Sequence, residues 1–119
     1  MIQGIGTDIT DISRIKKLMD EQGQRFLDKI LSAEEISLIP EKGSEHFTAG
    51  RFAAKEAIVK APGRSFEFSR LSILNDESGK PYIHNPDFIS GKGNGVTFHI
   101  SISHEKDYAT AVAIIEKVI

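Results

Sequence analysis

Residues 108–115, YATAVAII, are apolar at odd and even positions alike. Such a stretch belongs in the centre of a sheet, where both faces are covered. The segment before it, VTFHISIS at 96–103, alternates instead. Val96, Phe98, Ile100 and Ile102 point one way, and Thr97, His99, Ser101 and Ser103 the other. HEKD between the two runs is a tight reversal, so they form an antiparallel pair. Two shorter runs, LSIL (71–74) and PYIH (81–84), flank NDESGK at 75–80 and read as a hairpin. Residues 85–95 hold Pro86, Gly91, Gly93 and Gly95 and read as a loop.

The first half has a different period. IQGIGTDI at 2–9 reads as a strand with Ile2, Gly4, Gly6 and Asp8 on one side and Gln3, Ile5, Thr7 and Ile9 on the other. Glycines admit a close neighbour. That neighbour is either a ligand beside Asp8 or a helix packed on the strand. Ile12, Ile15, Leu18 and Met19 recur at helical spacing over 11–21, with Thr10 or Asp11 as cap and Gly23 as breaker. A short helix at 24–30 follows, and Ser32-Ala-Glu-Glu35 has the spacing of a capping box for another. A longer helix spans about 46–61, with Ser44 as its cap and Pro62-Gly63 as its stop. The pattern predicts one α+β domain over 1–119, with an antiparallel sheet packed against one long and several short helices.

Composition narrows the function. The 119 residues carry 17 acidic and 15 basic side chains, for a net charge of −2. That balance excludes binding to nucleic acid by bulk charge. No cysteine is present, which removes thiol nucleophiles and thiolate metal sites. No apolar run approaches the roughly 20 residues of a membrane span, and MIQGIGTDIT lacks the pattern of a signal peptide. The expectation is a cytoplasmic protein with no membrane partner.

The long helix, GRFAAKEAIVKA at 50–61, raises the question of chemistry. On a helical wheel Phe47, Ala54, Ala57, Ile58 and Ala61 make a core face. Arg51 and Lys55 share a second side, and Glu56 and Lys60 a third. Phe52 and Val59 lie between the charged sides and suggest a second covered surface, within the domain or on another subunit. Glu56 and Lys60 fit an ordinary i, i+4 surface pair. They equally fit a phosphate and metal site, in which a carboxylate holds magnesium and a cation holds phosphate oxygens.

Three blocks, GIGTDITDISRI (4–15), FTAGRFAAKEAIVKA (47–61) and ISISHEKDYATA (100–111), together with a weaker GKPY (79–82), resemble the acyl-carrier-protein synthases. These are the small type of 4′-phosphopantetheinyl transferase, and the likeness runs over nearly the whole chain. The resemblance implies transfer of phosphopantetheine from coenzyme A to a serine of an apo acyl carrier protein, releasing adenosine 3′,5′-bisphosphate, in fatty acid biosynthesis. It also implies magnesium and a homotrimer with active sites at subunit interfaces.

By the same resemblance Asp8 and Glu56 hold the metal, and Lys60 sits by the transferred phosphate. Asp8, Glu56 and Lys60 form the catalytic set. His104 lies near the nucleotide. Arg51 and Lys55 match positions associated with coenzyme A phosphates, Arg51 reaching a neighbouring subunit's site, and Gly79, Lys80 and Pro81 complete the coenzyme-binding set. Arg14, with Lys17 and Arg25, is implied to dock the acidic carrier. The base that takes the serine proton is left open between a metal-bound water and Glu56. KAPGRSFEF at 60–68 is shorter than the family's glycine-rich loop, so that loop's coenzyme contacts are not assigned here; Gly63 and Arg64 are the residues available to substitute. A metal-dependent phosphodiesterase and a non-catalytic carrier-binding scaffold are the competing readings. The first would consume coenzyme A without a carrier, and the second would bind a carrier without metal.

Overall fold

In a computed structural model that describes residues 1–118, three strands form the main sheet in the order β1-β5-β4, all antiparallel. They are β1 (Ile2–Asp11), β4 (Val96–His104) and β5 (Tyr108–Lys117). The YATAVAII run is thus the central strand, as its composition predicts. Asp8 pairs with Ala111, and Ala111 with Ile102 on the far side. β2 (Ile73–Asn75) and β3 (Pro81–Ile83) make the separate hairpin. The helices are α1 (Ile12–Gln22), α2 (Gln24–Ile30), α3 (Ala33–Ser37) and α4 (Ser44–Lys60), with a short α5 (Asp87–Ser90) inside the expected 85–95 loop.

Local chemistry explains most boundaries. The Asp11 carboxylate accepts from the Ser13 amide at 2.9 Å and caps α1. Gly23 ends α1 at φ 59°, a conformation glycine takes without strain. The capping box forms as predicted, with Ser32 Oγ accepting from the Glu35 amide and Glu35 from the Ser32 amide. The cap of α4 differs from expectation. Gly43, at φ 75°, occupies that position with no side-chain bond, and Ser44 is already helical.

Helix α4 lies across one face of the main sheet, and small residues decide how closely. The helix offers Ala49, Ala53, Ala54 and Ala57, all buried; the central strand offers Ala109, Ala111 and Ala113. A β-carbon on Gly6 would overlap the Ala57 carbonyl, and one on Gly4 the Ala61 carbonyl. Of the two readings of these glycines, helix packing is the one found. Asp8 and Thr10 continue the same face of β1, so the packing that excludes side chains also sets where Asp8 stands.

The other face of the sheet has less cover. Ala109, Ala111, Ala113 and Ile115 of β5 are buried under α4, while Val112 and Ile114 on the reverse are half-buried. Ile5 and Ile9 of β1 stay 62% and 65% exposed there. The expected cover for Phe52 comes from within the chain: its ring meets the Phe68 edge at 5.9 Å, and the Arg14 guanidinium lies 6.0 Å from its centre.

Gly6→Ala is expected to destabilise the protein by about 3 kcal/mol or prevent folding, because backbone has to move to admit the methyl. Gly50→Ala meets only the Ile102 methyl at 3.1 Å and should cost about 1 kcal/mol. Urea denaturation measures both; equal losses would show that the helix is free to lift.

Candidate active site

Asp8 leaves β1 on the helix-covered face and is largely buried. Its Oδ2 accepts from Thr10 Oγ1 at 2.7 Å, and its Oδ1 lies 3.4 Å from Lys60 Nζ. Thr10 is itself buried, so the carboxylate has a fixed support beneath it. Lys60, in the last turn of α4, also donates to the Thr7 carbonyl at 3.0 Å. The cation therefore pairs across to the strand and not with Glu56 along the helix. Glu56 stands one turn earlier, half-buried and in no ion pair among the described residues.

A second group of the expected residues meets elsewhere on the same side of the sheet. A cleft of about 430 Å³ lies between the start of α4, the β2–β3 turn and the end of β4. Arg51, Gly79, Pro81 and His104 line it, with Lys42, His46, Phe47 and Asn75. His46 touches His104 edge-on at 5.4 Å. The turn is held by Asp76, whose carboxylate accepts from the Ser78 hydroxyl at 2.7 Å and from the Ser78 and Lys80 amides at 2.9 Å each. These bonds, the hydroxyl first, hold the Asp76 carboxyl below its usual range.

Grooves on the reverse of the sheet, the face away from α4, skirt the edges of both the cleft and the Asp8 centre. His104 lines both the cleft and an apolar groove with Ile9, Tyr108 and Thr110. Ile9 and Thr110 line that groove and a third one containing Asp8 and Lys60. β5 lies between β1 and β4, so Asp8 and the end of β4 stand about 10 Å apart, two strand spacings. An extended ligand with an anionic end at each place suits that separation.

Lys55 is the clearest departure from expectation. It does not face a coenzyme phosphate, because it is fully buried. Its ammonium donates to Glu35 Oε1 at 2.5 Å and to the carbonyls of Ile30, Phe68 and Leu71 at 2.8–3.0 Å. Burial lowers its pKa and Glu35 opposes that shift. Four acceptors satisfy the ammonium, which leaves no donor for a ligand.

Arg51 departs in another way. It is buried against its own chain, donating from Nε to the Ile73 carbonyl at 3.1 Å and from Nη2 to Asn75 Oδ1 at 3.2 Å, with its guanidinium 4.5 Å over the Phe47 ring. It lines the cleft of its own chain. Lys80 contributes its amide to the turn, and its side chain is not among the residues lining the cleft. Arg64 donates to the Ile89 carbonyl and lines a separate groove with Pro62. Arg14, Lys17 and Arg25 are exposed, Lys17 with a surface partner, Glu21, at 3.9 Å.

Sequence reasoning passed over Thr10, His46, Lys42 and Asn75. Thr10 carried a detectable signal, since it shares the Asp8 face two residues on. The others join the cleft only through the packing of α4 against the hairpin.

The donor set at Asp8 and Glu56 is all carboxylate oxygen, and no cluster of three or more histidine, cysteine or acidic side chains is poised for a metal among the described residues. Two carboxylates fit magnesium, which takes one or two from the protein and fills its remaining positions with phosphate oxygens and water. They do not fit an all-protein cage.

A carboxylate–lysine centre and a cationic cleft on one sheet face are features that can meet phosphate groups. The profile of the 4′-phosphopantetheinyl transferase superfamily matches residues 4–113, and the chain belongs to that family. Among its relatives, a holo-[acyl-carrier-protein] synthase of Maridesulfovibrio salexigens is 44% identical, over 98% of this chain and all of that one. The solved synthase of Neisseria meningitidis superposes with a TM-score of 0.86 at 36% identity, covering 98% and 100% of the two chains. That of Bacillus anthracis, solved in complex with coenzyme A (3′,5′-ADP), gives 0.83 at 34% identity over 99% of each.

The depressed Asp76 carboxyl contributes order that is complete above the ordinary aspartate value of 3.8 and is lost as pH falls through the lower folded value. The Ser78 and Lys80 amide resonances should shift together at a pH below 3.8. Titration at or above 3.8 would show that the turn is held some other way.

Proposed function

We propose that the chain is a holo-[acyl-carrier-protein] synthase, acting as one catalytic domain over residues 1–119. It moves the phosphopantetheine arm of coenzyme A onto a serine hydroxyl of an apo acyl carrier protein, in fatty acid biosynthesis. The serine oxygen bonds to the arm's phosphorus, the diphosphate bridge breaks, and adenosine 3′,5′-bisphosphate leaves. The observation that carries this reading is one sheet face that bears both a carboxylate–lysine centre and a cationic cleft.

In this reading the nucleotide end of coenzyme A occupies the cleft. Arg51 and Lys42 meet its phosphates, His104 stands at the exit, and Gly79 and Pro81 form the wall. Lys60 holds the transferred phosphate, and its ammonium, already beside Asp8, is placed to steady negative charge as the bridge breaks. Asp8 and Glu56 would hold magnesium, which when bound neutralises the diphosphate. Thr10 keeps the Asp8 carboxylate oriented.

The carrier is acidic in this reading and docks on α1 and the start of α2. Arg14, Lys17 and Arg25 are exposed there, and complementary charge raises the encounter rate. We place the enzyme in the cytoplasm; no helix among the described residues is long and apolar enough to cross a membrane. We also infer a homotrimer. Its support is the uncovered sheet face with Ile2, Ile5, Ile9 and Tyr108, which a second copy would bury.

Purified protein with magnesium and coenzyme A is expected to add one phosphopantetheine mass to an apo carrier protein, read by intact-protein mass spectrometry. Asp8→Ala and Glu56→Ala should each abolish the gain while circular dichroism stays that of the parent. Activity surviving in both would remove the metal assignment, and no gain on any of several apo carriers would end the proposal. Ile5→Lys should shift the sedimentation coefficient from trimer to monomer; an unchanged value would place the subunit interface elsewhere.

A further inference from the structure

Glu35 sits under the nucleotide cleft without touching it. It is wholly buried, and its two oxygens have different duties. Oε1 accepts from the Ser32 amide at 2.8 Å and from Lys55 Nζ at 2.5 Å. Oε2 accepts from the Ile73 amide at 3.0 Å. The carbonyl of the same Ile73 residue accepts from Arg51 Nε at 3.1 Å. Two positions on, Asn75 Oδ1 accepts from Arg51 Nη2 at 3.2 Å. β2 is therefore held through both the amide and the carbonyl of Ile73, on the edge turned away from β3.

We propose that Glu35 is a positioning residue for coenzyme A: through Ile73 it fixes the strand whose carbonyl and Asn75 side chain aim Arg51 into the cleft. The proposal rests on the reading of that cleft as the nucleotide site.

The alternatives for holding Arg51 are few. β2 has only three residues, and its partner β3 has three, so the hairpin's own ladder is short. Ser72, just before β2, is anchored to α3 through its hydroxyl, which bonds Ser32 Oγ at 2.7 Å and Glu34 Oε2 at 2.8 Å, and to the residues after β3 through its amide, which donates to Asn85 Oδ1 at 2.9 Å. The anchors to Ser32, Glu34 and Glu35 lie on the α3 side. Arg51 is thus aimed by a strand that α3 carries, and Glu35 is the bond nearest to it.

Charge points the same way. Arg51 and Lys55 are both buried, one helical turn apart on α4, and Glu35 is the buried carboxylate that serves both. Burial lowers the pKa of each cation, and the Glu35 charge opposes that shift in each. Two cations against one carboxylate leave the wall of the cleft with one positive charge in excess. Arg51 is therefore held charged and partly uncompensated, which suits a phosphate arriving from the open side.

Glu35→Gln separates these duties. Its carbonyl oxygen still serves Ser32 and Lys55, while its amide nitrogen faces the Ile73 amide, two donors with no acceptor between them. The expected result is a folded enzyme with a KM for coenzyme A raised about tenfold and a KM for the carrier protein unchanged, a split that simple loss of stability does not produce. Arg51→Gln should raise the coenzyme A KM by at least as much. The double variant should show no further rise, because both changes remove one arrangement.

A coenzyme A KM within twofold of the parent in Glu35→Gln, or losses that multiply in the double variant, would overturn the proposal while leaving the cleft reading intact. A normal KM in Arg51→Gln would remove the cleft reading and the proposal with it. Should Glu35→Gln not fold, Glu35→Leu with Lys55→Met removes both charges of the pair together and is read by the same criteria.

Discussion

The closeness of α4 to the sheet is the constraint from which the rest follows. A helix normally stands off a sheet by the width of its side chains. Here Gly4 and Gly6 remove those side chains from β1, and alanines remove them from α4 and β5. Ala57 and Ala61 come to backbone contact with the strand. Lys60, one residue before Ala61, then reaches the strand edge 3.4 Å from Asp8, and Glu56 precedes Ala57 one turn earlier. A thicker layer would separate Lys60 of the helix from Asp8 of the strand.

The seam alone would not orient α4 about its own axis. Lys55 and Arg51, on another side, do that by opposite means. Lys55 is a buried pin: three carbonyls from α2, the 68–70 turn and the start of the hairpin, together with Glu35, close on one ammonium. Breaking one partner of such a pair is costly, because the other is left charged in the interior. Arg51 uses only part of its fork on the protein and presents the rest to the cleft. Cations one turn apart thus differ: Lys55 spends every donor inside the protein, and Arg51 keeps part of its fork at the cleft.

Much of this was legible in residues and their spacing. The central strand, the alternating strand beside it and the capping box at Ser32 all follow from side-chain pattern, and the first two form one ladder as read. The helical wheel found the core face of α4 but took Arg51 and Lys55 for a cationic surface. Nothing local distinguishes a buried lysine from a solvated one; the difference lies in carbonyls 13 to 25 residues away along the chain. Glu35 was hidden by its own success as a cap, since Oε1 satisfies the sequence rule and Oε2 does the unread work. The Lys60–Asp8 pairing was masked by the nearer Glu56, which the i, i+4 rule supplies as a partner.

The turn at 76–80 has a different dependence from everything around it. Asp76 closes it with three bonds made entirely within five residues, and Gly79 supplies the positive φ it needs. It borrows nothing from the seam or from the Lys55 pin. Changes in its length or side chains can therefore accumulate over evolutionary time without taxing the core, whereas β1 joins core packing and chemistry in alternate residues and can drift in neither. Divergence in what the cleft accepts should begin at this turn, and the strand of Gly4, Gly6 and Asp8 should be the last part of the molecule to change.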